Sequence, residues 1–295
     1  MAPPPHPAKP AAAAKPKAKP EVKDYTYRGQ MDLEAFLTAY KEAFSRDGRY
    51  TVAREPDLRQ FLGFLTKDPK LTDLRWMAYI LATVYWEDAP LTRYTAKTKA
   101  GKEITRRAWL TKWSPAEETG LGKGRGYEKA VKVEKLPDGG ARVTEQDGDQ
   151  WTVRANGTYS PTTNKTDLGS NPTRATPVKV YADAAGDEHL YYGRGYTQLT
   201  WWCNYAANGA KINRGLDLLF NPDLALEPQI SYDVLSDALR TGSGFANGHK
   251  LGDYIHGATT HYTAARAMIN GSDHAGDIAR YAEKFEAILF KARKT

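Results

Sequence analysis

The chain is poor in cysteine and has no long apolar run. Cys203 is the single cysteine among 295 residues, so no internal disulfide can form and a disulfide-stapled secreted scaffold is excluded. No stretch approaches the roughly 20 apolar residues that cross a bilayer, and we expect no membrane insertion. The first residues lack the apolar region of a signal peptide, so we expect synthesis in the cytoplasm without one.

Motifs for the common cofactors and nucleophiles are also missing. The sequence has no GxxxxGK[ST] phosphate loop and no G-x-S-x-G elbow. His256 and His261 lack the spacing of a zinc helix, and there is no cysteine pair. Gly122, Gly124 and Gly126 follow no predicted strand, which excludes a dinucleotide fingerprint. We therefore expect neither a metal nor an organic cofactor.

Positive charge is in excess. The net charge is +7 and the sequence pI is near 9.2, which favours nucleic acid, an anionic membrane or an anionic wall polymer as partner. Residues 1–23 are proline, alanine and lysine, and we expect a disordered arm there. Outside this arm the positive charge is taken to be spread along the chain, and no nucleic-acid-binding module is recognisable. We therefore expect no nucleic-acid partner.

Apolar residues at three- and four-residue spacing predict helices over 32–45, 72–87, 263–269 and 275–291, and a short helix capped by Asp57. Thr72 is the expected N-cap of the second of these helices. The 263–269 helix is expected to end at Asn270-Gly271.

Between 129 and 159 the apolar period changes to two, and Gly-containing turn pairs separate the runs. We expect a three-stranded antiparallel meander there and a surface loop over 160–175. The sequence thus predicts an α+β fold that is mainly α-helical and carries a small antiparallel β-meander.

Carboxylates beside aromatic residues are the best catalytic candidates. Glu87 ends the 72–87 helix next to Tyr85 and Trp86, and an aromatic surface would disfavour the charged carboxylate and suit a general acid. A solvated helix-end glutamate is the alternative. Glu117 and Glu118 precede the glycine-rich segment TGLGKGRGY, which fits either the wall of a cleft or an acidic surface loop.

The segment YYGRGYTQLTWWCNY (191–205) combines glycines, an arginine, amides, hydroxyls and aromatic rings. Sugars are recognised by such a combination, because their C–H faces stack on rings while their hydroxyl groups need directional partners. A tryptophan-rich core element is the alternative. Cys203 lies among these aromatics, where we expect a packed, inert thiol.

This segment resembles the signature of family 19 glycoside hydrolases, the plant-type chitinases and the related phage and bacterial endolysins. MAYILATVYWEDA resembles the helix that ends in their acidic motif, and EETGLGKGRGY resembles the endolysin segment with the second glutamate. NPDLAL and ARAMINGSDHAGDIARYAEKFEAIL are similar to their C-terminal helices. The resemblance implies a two-lobed, lysozyme-like domain over 24–295 with insertions near 90–113 and 129–185.

By position, the resemblance implies Glu87 as general acid and Glu118 as general base, with Glu117 and Glu103 as rivals for the second carboxylate. Thr200 matches the hydroxyl that holds the attacking water. The remaining carried-over residues line or support the sugar groove: Tyr192, Arg194, Gln198, Trp201, Asn204 and Asn270. Two residues depart from the pattern, Trp202 and Cys203.

The resemblance implies a monomeric inverting muramidase that binds peptidoglycan glycan strands and cleaves the β-1,4 bond between N-acetylmuramic acid and N-acetylglucosamine. A chitinase and a non-catalytic wall-binding protein are the alternatives. The protein would act on the wall in the periplasm, either as a phage lysin released through a holin or as an injected effector with delivery machinery and an immunity protein as partners.

Overall fold

The described chain is a mixed α/β structure, about 48% helical and 14% strand, with small antiparallel sheets. The computed structural model describes residues 23–97, 101–128, 130–146, 148–162, 190–269 and 271–294. The predicted arm up to residue 22 and most of the predicted 160–175 loop lie outside the described residues. The mainly helical α+β prediction agrees with the observed elements.

The helices are, in chain order, α1 (Leu33–Phe44), α2 (Glu55–Lys67), α3 (Leu74–Glu87), α4 (Trp202–Lys211), α5 (Asp217–Phe220), α6 (Pro228–Thr241), α7 (Leu251–Tyr254), α8 (Tyr262–Ala265) and α9 (Ala275–Ala292). Short 3-10 turns occur at Val52–Arg54, Gly126–Glu128, Pro222–Leu226, Gly244–Ala246 and Arg266–Met268.

The strands are β1 (Leu91–Lys97), β2 (Glu103–Trp109), β3 (Ala116–Glu117), β4 (Lys132–Lys135), β5 (Ala141–Thr144), β6 (Gln150–Val153), β7 (Tyr159–Pro161), β8 (Arg194–Gly195), β9 (Ile255–His256) and β10 (Thr259–Thr260). All pair antiparallel: β1 with β2, β3 with β8, β9 with β10, and β4 to β7 in sequential order. The meander has four strands, one more than the sequence predicts.

Helix starts differ from the predicted caps by one or two residues. The carboxylate of Asp73, rather than the Thr72 hydroxyl, caps α3 by accepting from the backbone N–H of Arg75 at 2.8 Å. Helix α2 begins at Glu55 without a side-chain cap, so Asp57 lies in its first turn. The predicted 263–269 helix is α8 followed by a 3-10 turn, because the chain tightens at Arg266.

The largest group of buried apolar residues, here called the helical core, lies among α1, α2, α3, α6 and α9. Helix α3, which is buried on nearly all sides, packs along the apolar stripe of α9. The carboxylate of Asp47 accepts hydrogen bonds from the hydroxyls of Tyr85 and Tyr281 at 2.8 and 2.9 Å, which ties the loop after α1 to both helices.

A second group, the meander core, lies between the β4–β7 sheet and α4. Its centre is a buried carboxylate: Glu145 accepts from the indole N–H of Trp202 at 2.7 Å and of Trp151 at 3.1 Å. The Trp202 ring also meets Tyr159 edge-on. Trp202, a departure from the family pattern, therefore joins the meander to the helix that follows the 191–201 segment.

Close packing of the meander on α4 depends on Gly157. This residue has φ of +79°, and a Cβ there would lie 2.6 Å from the backbone oxygen of Ala206. Gly148 has φ of +90°, but a Cβ there would meet nothing within 4 Å. The two glycines therefore share a left-handed backbone and differ in the space around it.

We expect Gly157→Ala to destabilise the protein more than Gly148→Ala. Both changes carry the left-handed penalty of roughly 1–2 kcal/mol, and Gly157→Ala adds a collision with backbone that cannot rotate away. Urea unfolding of both variants gives the comparison. Equal losses of unfolding free energy would contradict the docking of the meander on α4.

The sequence analysis assigned no secondary structure to residues 91–109, where the structure has a hairpin. Strands β1 and β2 pair from Leu91 opposite Trp109 to Lys97 opposite Glu103. Three residues separate the last helical residue of α3 from the start of β1 at Leu91, and residues 110–115 connect β2 to β3. Alternating threonine and basic residues gave no apolar period that would have indicated these strands.

Candidate active site

Strands β3 and β8 bring the two glutamates at 117–118 beside the 191–205 segment. Ala116 pairs with Gly195, and Glu117 with Arg194. The backbone N–H of Glu118 donates to the carbonyl of Gly193 at 2.7 Å. The two segments that the sequence analysis singled out are thus adjacent, although the described meander separates them in the chain.

The carboxylate of Glu118 is held by donors on both oxygens. The Tyr127 hydroxyl donates to Oε1 at 2.9 Å, and the Gly193 backbone N–H donates to Oε2 at 3.1 Å. Arg125 Nε lies 3.8 Å from Oε1. The side chain of Glu118 nevertheless remains 19% exposed, so its carboxylate is fixed in position and still reachable by water.

The two rivals of Glu118 are placed differently. Glu117 is exposed and accepts from the Tyr192 hydroxyl at 2.6 Å. Glu103 begins β2 and is exposed on the hairpin. Of the three, Glu118 alone is both partly buried and bonded to the backbone of the 191–205 segment.

Tyr127 is a residue that the sequence analysis missed. Burial and the neighbouring Glu118 carboxylate raise the pKa of Tyr127 to about 12, so its hydroxyl stays a donor at neutral pH. Its ring meets the Trp201 ring edge-on, with centroids 5.3 Å apart. Tyr127 ends the glycine-rich segment, and this position was the one hint in the sequence that it could belong to the site. The sequence does not indicate that its hydroxyl contacts Glu118.

With Glu118 as the general base that the resemblance implies, we expect Tyr127→Phe to lower kcat by about tenfold, because a hydrogen bond to a charged group contributes about 1.5 kcal/mol. Tyr192→Phe is the matched control, since the Tyr192 hydroxyl donates to Glu117 instead. Steady-state kinetics on one substrate would separate kcat from KM. A larger effect of the Tyr192 change would move the base to Glu117.

The other carried-over residues divide into framework and half-buried positions. Gln198 Nε2 donates to the carbonyls of Ala116 at 2.9 Å and Gly195 at 3.2 Å, so this amide clamps β3 to β8. Asn204 Nδ2 donates to the carbonyl of Thr200 at 2.9 Å. Thr200 and Trp201 are half-buried. Asn270 lies outside the described residues.

Arg194 is buried and holds the wall of the site together. Its guanidinium lies 3.7 Å from the centre of the Tyr192 ring, and its Nε lies 2.9 Å from Asp223 Oδ1. It also donates to the Leu190 carbonyl at 2.9 Å and the Tyr205 hydroxyl at 3.2 Å. These contacts give Arg194 a framework role between Tyr192, Tyr205 and Asp223.

Three non-glycine residues around the site have left-handed backbones. Their φ values are +51° for Leu121, +53° for Gln198 and +70° for Trp201. Each such conformation costs on the order of 1–3 kcal/mol and persists where the surroundings over-determine it, most often at functional sites. The three strained residues lie in or next to the two segments that carry the candidate residues, 117–127 and 191–205.

Glu87 ends α3 and pairs with a buried arginine. Its Oε1 lies 2.5 Å from Nη1 of Arg266, whose side chain is 1% exposed. Arg266 Nε donates to the Asp273 carbonyl at 2.8 Å. The sequence predicts an aromatic surface against Glu87. In the structure the Trp86 ring packs between Arg49 and His274 instead. No sequence signal connected Glu87 with Arg266.

Residues 110–116 connect the end of α3 with β3. The Thr111 hydroxyl donates to the Tyr85 carbonyl at 2.6 Å, and Lys112 N–H donates to the Asp88 carbonyl at 2.8 Å. Burial raises the pKa of Asp88 well above its ordinary value, against the charge of Lys112. Segment 110–116 is therefore held against the end of α3, which bears Glu87, and leads into β3 and Glu118.

Burial raises the pKa of the Cys203 thiol to about 12, which agrees with the predicted inert cysteine. Within the described residues no group of three or more His, Cys, Asp and Glu could hold a metal ion. In the same part of the chain, no helix is long and apolar enough to span a membrane.

Comparison of the chain with protein-family models, curated proteins and solved structures found no match. The resemblance to family 19 glycoside hydrolases therefore stays a prediction from the motifs.

Proposed function

We propose that the protein is a peptidoglycan glycosidase, a muramidase that hydrolyses the β-1,4 bond between N-acetylmuramic acid and N-acetylglucosamine with inversion. The observation that carries the proposal is the setting of Glu118. Both of its oxygens accept hydrogen bonds, from Tyr127 and Gly193, while the side chain keeps partial exposure beside Trp201. A general base needs this combination of fixed geometry and access to water.

In the proposed reaction Glu118 takes a proton from water as the water oxygen bonds to the anomeric carbon. The Thr200 hydroxyl would hold the same water, as the family resemblance implies. The bond from that carbon to the bridging oxygen breaks on the opposite face, and no covalent intermediate with the protein forms.

Glu87 would give its proton to the leaving oxygen. This transfer leaves a carboxylate, and the neighbouring guanidinium of Arg266 stabilises the charge that develops there. Proton exchange with solvent then returns Glu87 to its acid form and Glu118 to its base form. The reaction balances without a metal or an organic cofactor.

The proposed fold is a lysozyme-like body with two lobes, each built on one of the two cores. Glu87 belongs to the helical core through α3, while Glu118 is bonded to Gly193 near Tyr191 and Leu199 of the meander core. Aromatic surface for sugar rings is available at Trp201 and Tyr127. The glycan strand would then lie between the lobes.

Mass spectrometry of digested peptidoglycan tests this proposal. Purified peptidoglycan is incubated with the wild type or with Glu118→Gln, and the new reducing ends are reduced with borohydride. The proposal expects reduced muramic acid ends from the wild type alone.

Reduced glucosamine ends would instead assign a glucosaminidase or chitinase-like specificity. Cleavage by neither protein, with binding retained, would assign the non-catalytic wall-binding alternative.

A further inference from the structure

Residues 118–127 begin with the proposed base and are here called the base loop. Turns carry the chain along it: the backbone N–H groups of Leu121, Lys123 and Arg125 donate to the carbonyls three residues earlier at 3.0, 2.9 and 2.8 Å. These turns fix the course of the backbone between the base and Tyr127.

The base loop lies against the wall of the site at two of its glycines. A Cβ at Gly122 would lie 3.0 Å from the Tyr192 Cβ, and a Cβ at Gly126 would lie 3.0 Å from the Trp201 ring. The loop and the wall are therefore in direct contact, since a methyl group would not fit at either position without a shift. The backbone on both sides of residues 123–125 is thus held against the site.

Two cations of the base loop are exposed beside the base. Arg125 Nε lies 3.8 Å from Glu118 Oε1, and the Arg125 side chain is 68% exposed. Lys123 is exposed as well, and within the described residues no carboxylate lies at ion-pair distance from it. A guanidinium has five N–H donors and an ammonium has three. Both side chains therefore keep donors available to a ligand.

A muramidase sets the peptide-bearing sugar against its base. The attacked anomeric carbon belongs to N-acetylmuramic acid, so the water that Glu118 activates faces this sugar ring. The lactyl group of the same sugar carries the stem peptide with its free carboxylates, and chitin has no such groups. A cation next to the base is therefore close to the negative charges that distinguish peptidoglycan from a neutral polymer of N-acetylglucosamine.

We propose that Arg125 and Lys123 bind the free carboxylates of the stem peptide and so determine the preference of the site for peptidoglycan over chitin. This inference rests on the proposed function, since it is a muramidase that places the peptide-bearing sugar at Glu118. A guanidinium can hold a carboxylate through two parallel hydrogen bonds, and the ammonium adds a second positive charge. Because both side chains are exposed, added salt should screen the interaction and lower the preference.

Soluble muropeptide oligomers in two forms test the inference. The free amines are acetylated in both forms, and in one form the carboxylates are then converted to primary amides with carbodiimide and ammonia. The two kcat/KM values are measured for the wild type, for Lys123→Gln/Arg125→Gln and for the matched control Lys41→Gln/Lys291→Gln. The control removes the same charge from exposed lysines of α1 and α9.

The ratio of the two kcat/KM values reports recognition of the carboxylates, because a change that acts only on the base or on folding affects both forms equally. We expect the wild type and the control to prefer the carboxylate form by about tenfold, the scale of two ion pairs in contact with solvent. The loop variant should have a ratio within about twofold of one. Its loss should be in KM, since the carboxylates lie away from the reacting bond.

A preference that survives in the loop variant would overturn the inference, and so would a wild type without any preference. An equal loss in the control would assign the effect to net charge and overturn it as well. If neither form is cleaved by the wild type, the muramidase is refuted. Dissociation constants of the same two oligomers, measured by titration calorimetry, then decide the inference by the same ratios.

Discussion

Glu118→Gln should lower kcat for peptidoglycan hydrolysis by about 10²–10⁴-fold, the usual contribution of a general base. The amide keeps the volume of the side chain and an oxygen that can accept from Tyr127 or Gly193, so the site should keep its shape. KM should change little. Release of reducing ends from purified peptidoglycan, together with circular dichroism to check folding, measures the effect.

Glu117→Gln is the matched control for this change. The neighbouring carboxylate is exposed and bonded to Tyr192, so its loss should reduce kcat by about twofold or less, as is usual for a surface position. A reversed order, with Glu117→Gln inactive and Glu118→Gln active, would assign the base to Glu117.

Glu87→Gln should have two separate effects. Removal of the proton donor should lower turnover by about 10²–10⁴-fold. The buried guanidinium of Arg266 would also lose its carboxylate partner, and this should lower the free energy of unfolding by about 1–3 kcal/mol, since the amide oxygen can still accept a hydrogen bond. Thermal unfolding and activity well below the melting temperature measure the two effects independently.

The double variant Glu87→Gln/Arg266→Met separates catalysis from stability. Without the buried charge the double variant should regain part of the lost unfolding free energy, yet it should remain inactive because it has no acid. Recovery of turnover together with stability would show that Glu87 acts on folding alone.

The sequence predicts the helices best where apolar spacing is regular. Helices α1, α3 and α9 begin and end within two residues of expectation, because their apolar residues recur at helical spacing. Helices α1 and α9 bury one stripe each, whereas α3 is buried on nearly all sides. The β1–β2 hairpin was not predicted because its threonine and basic residues give no apolar period. The fourth meander strand was missed because Tyr159–Pro161 is short and follows directly on the Asn156-Gly157 turn.

For the site, the sequence identifies the segments but not their contacts. Residues 117–118 and 191–205 were singled out from composition and motif, and the structure pairs them. The Gly193 N–H that donates to Glu118 and the guanidinium beside Glu87 come from residues far away in the sequence. The Tyr127 hydroxyl is only nine residues from Glu118, but the fold of the loop between them brings it there, and local pattern does not encode that contact. Gln198 belongs to the framework of the site because its side-chain amide donates hydrogen bonds to two backbone carbonyls.

The adjacency of Trp201 and Trp202 couples the site to the meander during folding. The Trp201 indole meets Tyr127 beside Glu118, and the Trp202 indole donates to Glu145, which directly follows β5. The bond between Gly193 and Glu118 closes a loop of 75 residues, and the meander lies within that loop. Because closure of so long a loop is favoured only after its interior has collapsed, we expect the meander to form first and the carboxylate site to assemble late. A chain arrested during synthesis before residue 193 would then lack the assembled Glu118 site, so the proposed hydrolytic activity would arise only after most of the protein has been made.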